Sequence, residues 1–136
     1  VTNGEGEGSA VLVRSCEPLD GIATIRRRRF GKSGPVSLTG PGKVGAALSL
    51  TTDWNRHPLY EPGGLVLRSG VQPPHYMHGP RVGIDYASPR DIRARWRLAV
   101  ADSPWVSVRG RLKIMTEQDI ARIRDIPRMR KGTDRA

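Results

Sequence analysis

The stretch that decides the fold is Ser9–Gly21, which reads SAVLVRSCEPLDG. It opens with small and branched apolar residues at Ala10–Val13, a run typical of a buried strand. Apolar residues then recur at every third position over Leu19–Ile25, which predicts a helix. Pro18 suits the first turn of that helix, because the N–H that proline lacks is unsatisfied there anyway. The stretch therefore predicts a strand, a charged corner at Arg14 and a helix.

Arg14 is the chemically informative residue of this stretch. A charge at the end of a buried strand needs a partner or a polar cavity, because burying it alone is expensive. One interpretation is an ordinary ion pair, and the other is that Arg14 lines a functional site. The residues alone leave both open.

The composition points to a polyanionic partner. The chain has 136 residues, the size of one ordinary domain, and a formal net charge of +10. A folded domain this basic repels itself unless a polyanion is nearby, so nucleic acid is the first candidate and an anionic membrane surface the second. No apolar run is long enough to span a bilayer. The single cysteine, Cys16, excludes an internal disulfide framework and indicates a reducing compartment, with its thiol a small buried hydrophobe rather than a nucleophile.

Two basic motifs are candidate phosphate contacts. Arg26–Arg29 are four consecutive cations at the end of the predicted helix, where they suit its negative pole. They form either a solvated face or a phosphate patch, and the lack of any acid among them favours the second. Leu38–Leu50 reads LTGPGKVGAALSL, a tight turn followed by a predicted helix over Lys43–Leu50. Gly40, Gly42 and Lys43 there form either a packed helix start or a contact to phosphate through helix N–H groups.

The remaining chain predicts strands and loops. Arg81–Ala87 reads as a strand, and Arg95–Ala101 as a half-buried strand with an inward face formed by Trp96, Leu98 and Val100. His75 and His78 stand three apart in the predicted loop Gly70–Pro80, which favours solvent-facing histidines over metal ligands because the loop contains no acid or cysteine.

No catalytic group is evident from the residues alone. The acidic residues Asp85, Asp91 and Asp102 are separated by turns, and no metal-ligand set is visible. Beyond Arg109 the chain is a basic tail, in which Thr116–Asp119 resembles a capping box that starts a short helix. These features predict a basic α+β domain that binds a polyanion.

Four motifs in order carry a family resemblance. The sequence resembles the C-terminal part of the DNA-3-methyladenine glycosylase family, alkyladenine type, over most of Gly4–Ser107. The matching segments are SAVLVRSCEPLDGI with the preceding GEG, LTGPGKVGAALSL, GPRVGIDYA and RWRLAVADSPWVS. The resemblance implies an α+β fold, a single domain around a curved, mainly antiparallel sheet with short helices, incomplete in this chain.

The resemblance also implies an activity and its residues. Enzymes of this family flip a damaged purine nucleotide out of the duplex, and water then attacks the sugar C1′ so that the base leaves. By resemblance, the Arg14 side chain and the Val82 backbone carbonyl hold that water, while the glutamate general base has no match in this chain. Gly40, Gly42 and Lys43 become a DNA-backbone contact, and Arg26, Arg27, Arg28 and Arg29 a phosphate patch. No metal and no cofactor is implied.

These observations set the expectations for the whole chain. Because the chain starts at Val1 inside NGEGEG, we expect a part of a longer protein, with little or no glycosylase activity alone. Residues 1–108 are expected to form the glycosylase-like part, and residues 109–136 the basic tail. The expected partner is double-stranded DNA containing damaged purines, with no membrane, bound by a monomer in the cytoplasm or nucleus. The alternative is a non-catalytic basic nucleic-acid-binding domain.

Overall fold

The structure, a computed structural model, describes residues 10–29 and 36–124. Contacts divide the chain into two compact units, the first within Val1–Val71 and Ser103–Val108 and the second within Gln72–Asp102 and Arg109–Ala136. The described elements are the helices α1 (Ile22–Arg28), α2 (Pro41–Leu48), α3 (Pro89–Arg93) and α4 (Glu117–Arg124), the strands β1 (Tyr76–Gly79), β2 (Arg97–Val100) and β3 (Lys113–Ile114), and two 3₁₀ turns at Thr52–Trp54 and Arg109–Arg111. This content confirms the predicted α+β class.

A small apolar core holds the first unit together. Leu38, Val44 and Ala47 are buried, and Cys16, Ile25 and Val36 pack against them. The apolar spacing predicts a face of α2 formed by Val44, Ala47 and Leu48. Val44 and Ala47 do meet the core, but Leu48 is 42% exposed, so that part of the prediction is wrong. The helix begins at Pro41, two residues before the predicted start, because proline needs no N–H partner in a first turn.

Helix α1 begins at Ile22 rather than at Pro18, so the predicted start is wrong. The Asp20 carboxylate accepts a hydrogen bond from the Gly21 N–H at 2.6 Å, and such local bonds compete with helix formation. The first helical bond runs from the Ile25 N–H to the Gly21 carbonyl at 3.0 Å. The arginine run does fall in the last turn of α1, where cations suit the negative pole of the helix.

The predicted buried strand at Ala10–Val13 is wrong. The side chains of Val11, Leu12 and Val13 are 78%, 64% and 54% exposed. Within the described residues, pairing begins only at Ser15, which forms an isolated antiparallel bridge with Thr39. A strand needs a second strand beside it to form the ladder hydrogen bonds, and an apolar pattern alone does not predict which segment provides that second strand.

The second unit is built on a three-stranded antiparallel sheet. Strand β1 lies between β2 and β3, with Met77 opposite Ala99 on one side and Ile114 on the other. This confirms an antiparallel sheet, but β1 occupies part of the predicted loop Gly70–Pro80, and that prediction is wrong. His78 on β1 is consequently buried and not solvent-facing.

Strand β2 is confirmed, but its predicted inward face is inverted. Arg97 is 7% exposed, whereas Trp96 and Leu98 are 62% and 56% exposed and Val100 is also exposed. Arg97 pairs with Gly79, and a Cβ on Gly79 would meet the backbone of Arg111. The Arg111 backbone therefore lies close to Gly79, the residue that pairs with Arg97.

The predicted strand at Arg81–Ala87 is also wrong. These residues form bends and turns, and the Ala87 N–H bonds locally to the Ile84 carbonyl at 2.9 Å instead of joining a ladder. The following helix α3 starts after Ser88, whose hydroxyl accepts from the Asp91 N–H at 3.2 Å.

The segment after Arg109 contributes to the second unit. Strand β3 pairs with β1, a pairing that no sequence pattern predicted. The predicted capping box is confirmed at α4: the Thr116 N–H donates to Asp119 at 3.0 Å, and the Asp119 N–H donates to the Thr116 hydroxyl at 3.2 Å. The domain division after Val108 stays a prediction. Among the helices of residues 10–29 and 36–124, none is both long and apolar enough to cross a membrane.

Candidate functional site

The backbone of Arg14 is hydrogen-bonded to the GPGK turn. The Arg14 carbonyl accepts from the Gly40 N–H at 2.8 Å, and the Cys16 N–H donates to the Leu38 carbonyl at 3.4 Å. These bonds flank the bridge between Ser15 and Thr39. The structure thus brings together two site elements that the sequence placed 26 residues apart (Arg14 and Gly40).

The turn at Gly40 leads directly into the exposed first turn of α2. Gly40 has φ 141° and ψ 142°, a conformation that side-chain-bearing residues rarely adopt, so glycine is required here. The first helical bond of α2 runs from the Val44 N–H to the Gly40 carbonyl at 3.1 Å. The N–H groups of Gly42 and Lys43 precede it and have no helical acceptor, and both residues are exposed. Such N–H groups beside a lysine ammonium suit a phosphate.

Thr39 links this turn to the lysine. Its hydroxyl lies 2.8 Å from the Ser37 hydroxyl and accepts from the Lys43 ammonium at 3.4 Å. One residue therefore joins the bridge to Ser15 and the cation of the first helical turn. No pattern in the sequence indicated this role, although a threonine before Gly-Pro is typical of a turn.

The four consecutive arginines are not equivalent. Arg26, Arg27 and Arg28 are exposed, and Arg29 is half-buried. The Arg28 guanidinium donates to the Ala47 carbonyl at 3.0 Å, near the end of α2, and Arg27 donates to the Thr24 hydroxyl at 3.1 Å. Arg28 thus donates to a carbonyl at the negative pole of α2, a structural role that no pattern in the sequence indicates. That role makes Arg26 the clearer candidate for a phosphate contact.

Val82 lies in the second unit, on a bend anchored by its neighbour Arg81. The Arg81 guanidinium stacks on the Trp96 ring, 4.9 Å from its centroid. It also donates to the Asp91 backbone carbonyl at 3.4 Å and lies 4.0 Å from the Asp91 carboxylate. These contacts tie the bend to α3 and to the residue before β2. The role of the Val82 carbonyl stays a prediction.

A buried histidine forms a polar cluster in the second unit. His78 Nε2 lies 3.3 Å from an Arg95 guanidinium nitrogen and 3.8 Å from an Asp119 oxygen. The backbone N–H and then the hydroxyl of Thr116 hold the pKa of Asp119 below its ordinary value, with smaller contributions from His78 and Arg95. Since Asp119 belongs to α4, this cluster connects that helix to β1. The sequence around His78, a histidine in a Pro-rich stretch, does not distinguish a strand from a loop and therefore does not predict this buried cluster.

Metal and thiol chemistry find little support in the described part of the chain. No group of three or more His, Cys, Asp or Glu side chains among residues 10–29 and 36–124 could hold a metal ion. Partial burial raises the pKa of the Cys16 thiol, which disfavours the reactive thiolate. This agrees with the predicted role of Cys16 as a small hydrophobe.

The comparison with protein families decides the relationship. Residues 1–104 match the model of the family described as methylpurine-DNA glycosylase. The chain belongs to this methylpurine-DNA glycosylase family. The match confirms the resemblance carried by the four sequence motifs. It ends before β3 and α4, so these two elements lie outside the segment that matches the methylpurine-DNA glycosylase model.

Individual relatives support the same methylpurine-DNA glycosylase assignment. The chain is 58% identical over 113 residues to a protein of Nitrosococcus oceani named as a 3-methyladenine DNA glycosylase, covering 83% of this chain and 56% of that protein. It is 57% identical over 109 residues to a DNA-3-methyladenine glycosylase of Arabidopsis thaliana, covering 79% and 43%. A Bacillus licheniformis relative is 37% identical over 110 residues, covering 79% and 54%. The chain thus spans about half the length of the curated relatives that it matches. No solved structure was found to match it.

Proposed function

We propose that this protein acts in DNA repair by removing alkylated or deaminated purines from double-stranded DNA. The observation that carries the proposal is the family match over residues 1–104. The relatives named as 3-methyladenine DNA glycosylases support an alkylated purine as a substrate. In this proposal residues 1–108 form the glycosylase part and residues 109–136 a basic extension.

The proposed reaction hydrolyses the bond between the damaged base and its sugar. The nucleotide is flipped out of the helix, because the target atom is inaccessible within the duplex. Water attacks the sugar C1′, the N-glycosidic bond breaks, and the base leaves. The Arg14 guanidinium donates a hydrogen bond to this water, and the Val82 carbonyl accepts one from it. A glutamate, for which no motif of this chain provides a match, takes the water proton.

The proposed DNA contacts lie on the first unit. Phosphate oxygens accept from the exposed N–H groups of Gly42 and Lys43 and from the Lys43 ammonium, while Gly40 allows the backbone to turn toward the duplex. Arg26 and its neighbours Arg27, Arg28 and Arg29 add a cationic patch at the end of α1 in the same unit. The net charge of +10 supports the attraction to DNA. The protein works as a monomer in the cytoplasm or nucleus.

The test uses a hybrid protein. The chain replaces the matched segment of the Nitrosococcus oceani relative, and release of hypoxanthine or 3-methyladenine from a duplex is measured in a single turnover. We expect release by the hybrid and a rate lower by about 10²-fold after Arg14→Ala, the order observed for loss of one positioned hydrogen-bond donor. Arg68→Ala removes an exposed arginine elsewhere in the first unit and is the matched control, with an unchanged rate.

The second candidate function is a non-catalytic basic nucleic-acid-binding domain. The high positive charge and the lack of an acid–base pair among the sequence motifs favour it. Duplexes with and without a tetrahydrofuran abasic analogue separate the two functions, since a glycosylase prefers the modified site and a general binder does not. A hybrid that binds both duplexes equally and releases no base, beside an active Nitrosococcus protein, would refute the glycosylase proposal.

A further inference from the structure

An isolated antiparallel bridge connects the proposed phosphate contact to Arg14. Ser15 pairs with Thr39, and on either side of this pair the Gly40 N–H donates to the Arg14 carbonyl and the Cys16 N–H donates to the Leu38 carbonyl. On the Thr39 side the bridge is anchored by Leu38, which is 4% exposed in the core of the first unit. The backbone of Arg14 is therefore held in register with the start of α2.

The Thr39 side chain extends this connection to a cation. Its hydroxyl accepts from the Lys43 ammonium at 3.4 Å and lies 2.8 Å from the Ser37 hydroxyl. Lys43 is exposed at the first turn of α2, whereas the bond between Ser37 and Thr39 is partly buried. A ligand that engages the Lys43 ammonium thus acts on a group already bonded to the bridge residue.

We propose that Thr39 is a positioning residue that couples the DNA-backbone contact at Gly40–Lys43 to the placement of Arg14. A phosphate at the first turn of α2 orders the Lys43 ammonium, and the Thr39 hydroxyl transmits that ordering to the bridge. The Gly40 and Cys16 hydrogen bonds then tighten, and Arg14 is held at one position. This inference rests on the proposed function, and it adds that DNA binding prepares the arginine.

The first test follows the bridge directly in the full chain. The probe is a 13-base-pair duplex with a tetrahydrofuran abasic analogue, and NMR records hydrogen exchange of the Gly40 and Cys16 amides. In the wild type we expect the duplex to slow exchange of both amides by roughly fivefold, the factor of one ordinary hydrogen bond. Thr39→Val keeps the branched shape and removes the hydroxyl, so the duplex should leave the Cys16 exchange unchanged.

The second test separates binding from reaction in the hybrid protein. Thr39→Val should lower the single-turnover rate at saturating duplex by roughly fivefold, while Kd changes less than about twofold because the Lys43 charge remains. Thr39→Ser restores the hydroxyl and should restore the rate. Thr52→Val removes an exposed threonine hydroxyl in the 3₁₀ turn Thr52–Trp54 of the first unit, and it is the matched control with unchanged rate and Kd.

The outcomes distinguish this inference from the proposed function. A hybrid that releases no base refutes the proposed function, while the amide exchange still decides the coupling in the full chain. If the duplex slows both amides equally in the wild type and in Thr39→Val, the coupling is wrong. It is also wrong if Thr39→Val weakens Kd and leaves the saturated rate unchanged, or if Thr39→Ser is as slow as Thr39→Val.

Discussion

The arginine run allows the structural and DNA-binding roles of neighbouring cations to be separated by two substitutions. Arg26 is exposed on α1, whereas the Arg28 guanidinium bonds to the Ala47 carbonyl at 3.0 Å. Arg26→Ala should weaken DNA binding without lowering stability. Arg28→Ala should lower stability, because a carbonyl in the last turn of α2 loses its cationic donor.

The expected sizes follow from these contacts. A hydrogen bond from a charged group contributes ~1.5–3 kcal/mol, and because Arg28 is itself exposed we expect about 1 kcal/mol. A loss of this size lowers the Tm by about 4 °C in a domain of this length. For Arg26, one neutralised phosphate contributes about 0.9 to the slope of log affinity against log salt. From about 50 to 200 mM salt, the wild type should then lose about 3.5-fold more affinity than Arg26→Ala.

Thermal unfolding and fluorescence anisotropy with a duplex titrated at several salt concentrations measure both quantities on the same samples. We expect Arg26→Ala to reduce the salt slope at unchanged Tm, and Arg28→Ala to reduce the Tm with a smaller change in slope. The reasoning is refuted if Arg28→Ala reduces the slope as much as Arg26→Ala does and leaves the Tm unchanged. The Arg28–Ala47 bond would then contribute nothing to stability.

Two further predictions concern Gly79 and Asp119 in the second unit, and Gly45 in the first unit provides a control for the first of them. A Cβ on Gly79 would overlap the Arg111 carbonyl oxygen and lie 3.0 Å from a Leu112 methyl group, so Gly79→Ala should destabilise the protein by about 2 kcal/mol in urea unfolding. Gly45 lies inside α2, and a Cβ on it would meet nothing within 4 Å, so Gly45→Ala should stabilise the protein by about 0.5–1 kcal/mol. Equal effects of the two substitutions would contradict the close approach of the Arg111 backbone to Gly79. The pKa of Asp119 is lower in the folded protein than in the unfolded chain. The ionised carboxylate therefore contributes its full stabilisation at pH values above the ordinary pKa of an aspartate, and this stabilisation is lost as the pH falls through the pKa of the folded state. Chemical unfolding between about pH 5 and 2 should therefore show a steeper loss of stability for the wild type than for Asp119→Asn, and parallel curves would exclude this linkage.

Local chemistry in the sequence predicted both helices of the first unit, although α1 begins later and α2 earlier than predicted. Pro41 and the apolar spacing of Val44 and Ala47 are sufficient to place α2, and they do not depend on distant residues. The strand at Ala10–Val13 fails because a strand requires a partner, and its apolar pattern does not say which segment lies beside it. The same stretch nevertheless identifies Arg14 as a candidate site residue, because a charge after an apolar run needs a partner whether or not the strand forms.

Tertiary cover explains the errors in the second unit. The alternation of Trp96, Leu98 and Val100 correctly indicates a strand, but the buried residue of that strand is Arg97 on the opposite face. Strand β1 was missed because its pairing with β2 and β3 comes from distant parts of the chain. The hydroxyl contact from Thr39 to Lys43 was likewise invisible, because threonine at a turn has many possible hydrogen-bond partners.

The only cysteine of the chain lies one residue beyond the Ser15–Thr39 bridge and packs against the core of the first unit. Its raised pKa means that the thiol stays protonated near neutral pH, and only the thiolate reacts with alkylating reagents. The rate of alkylation at Cys16, which is partly buried, therefore responds to any change in packing around this part of the core. The Cys16 thiol, two residues from Arg14, is thus a chemical probe that needs no introduced label. A change in its alkylation rate on addition of DNA would measure the effect of DNA binding near Arg14.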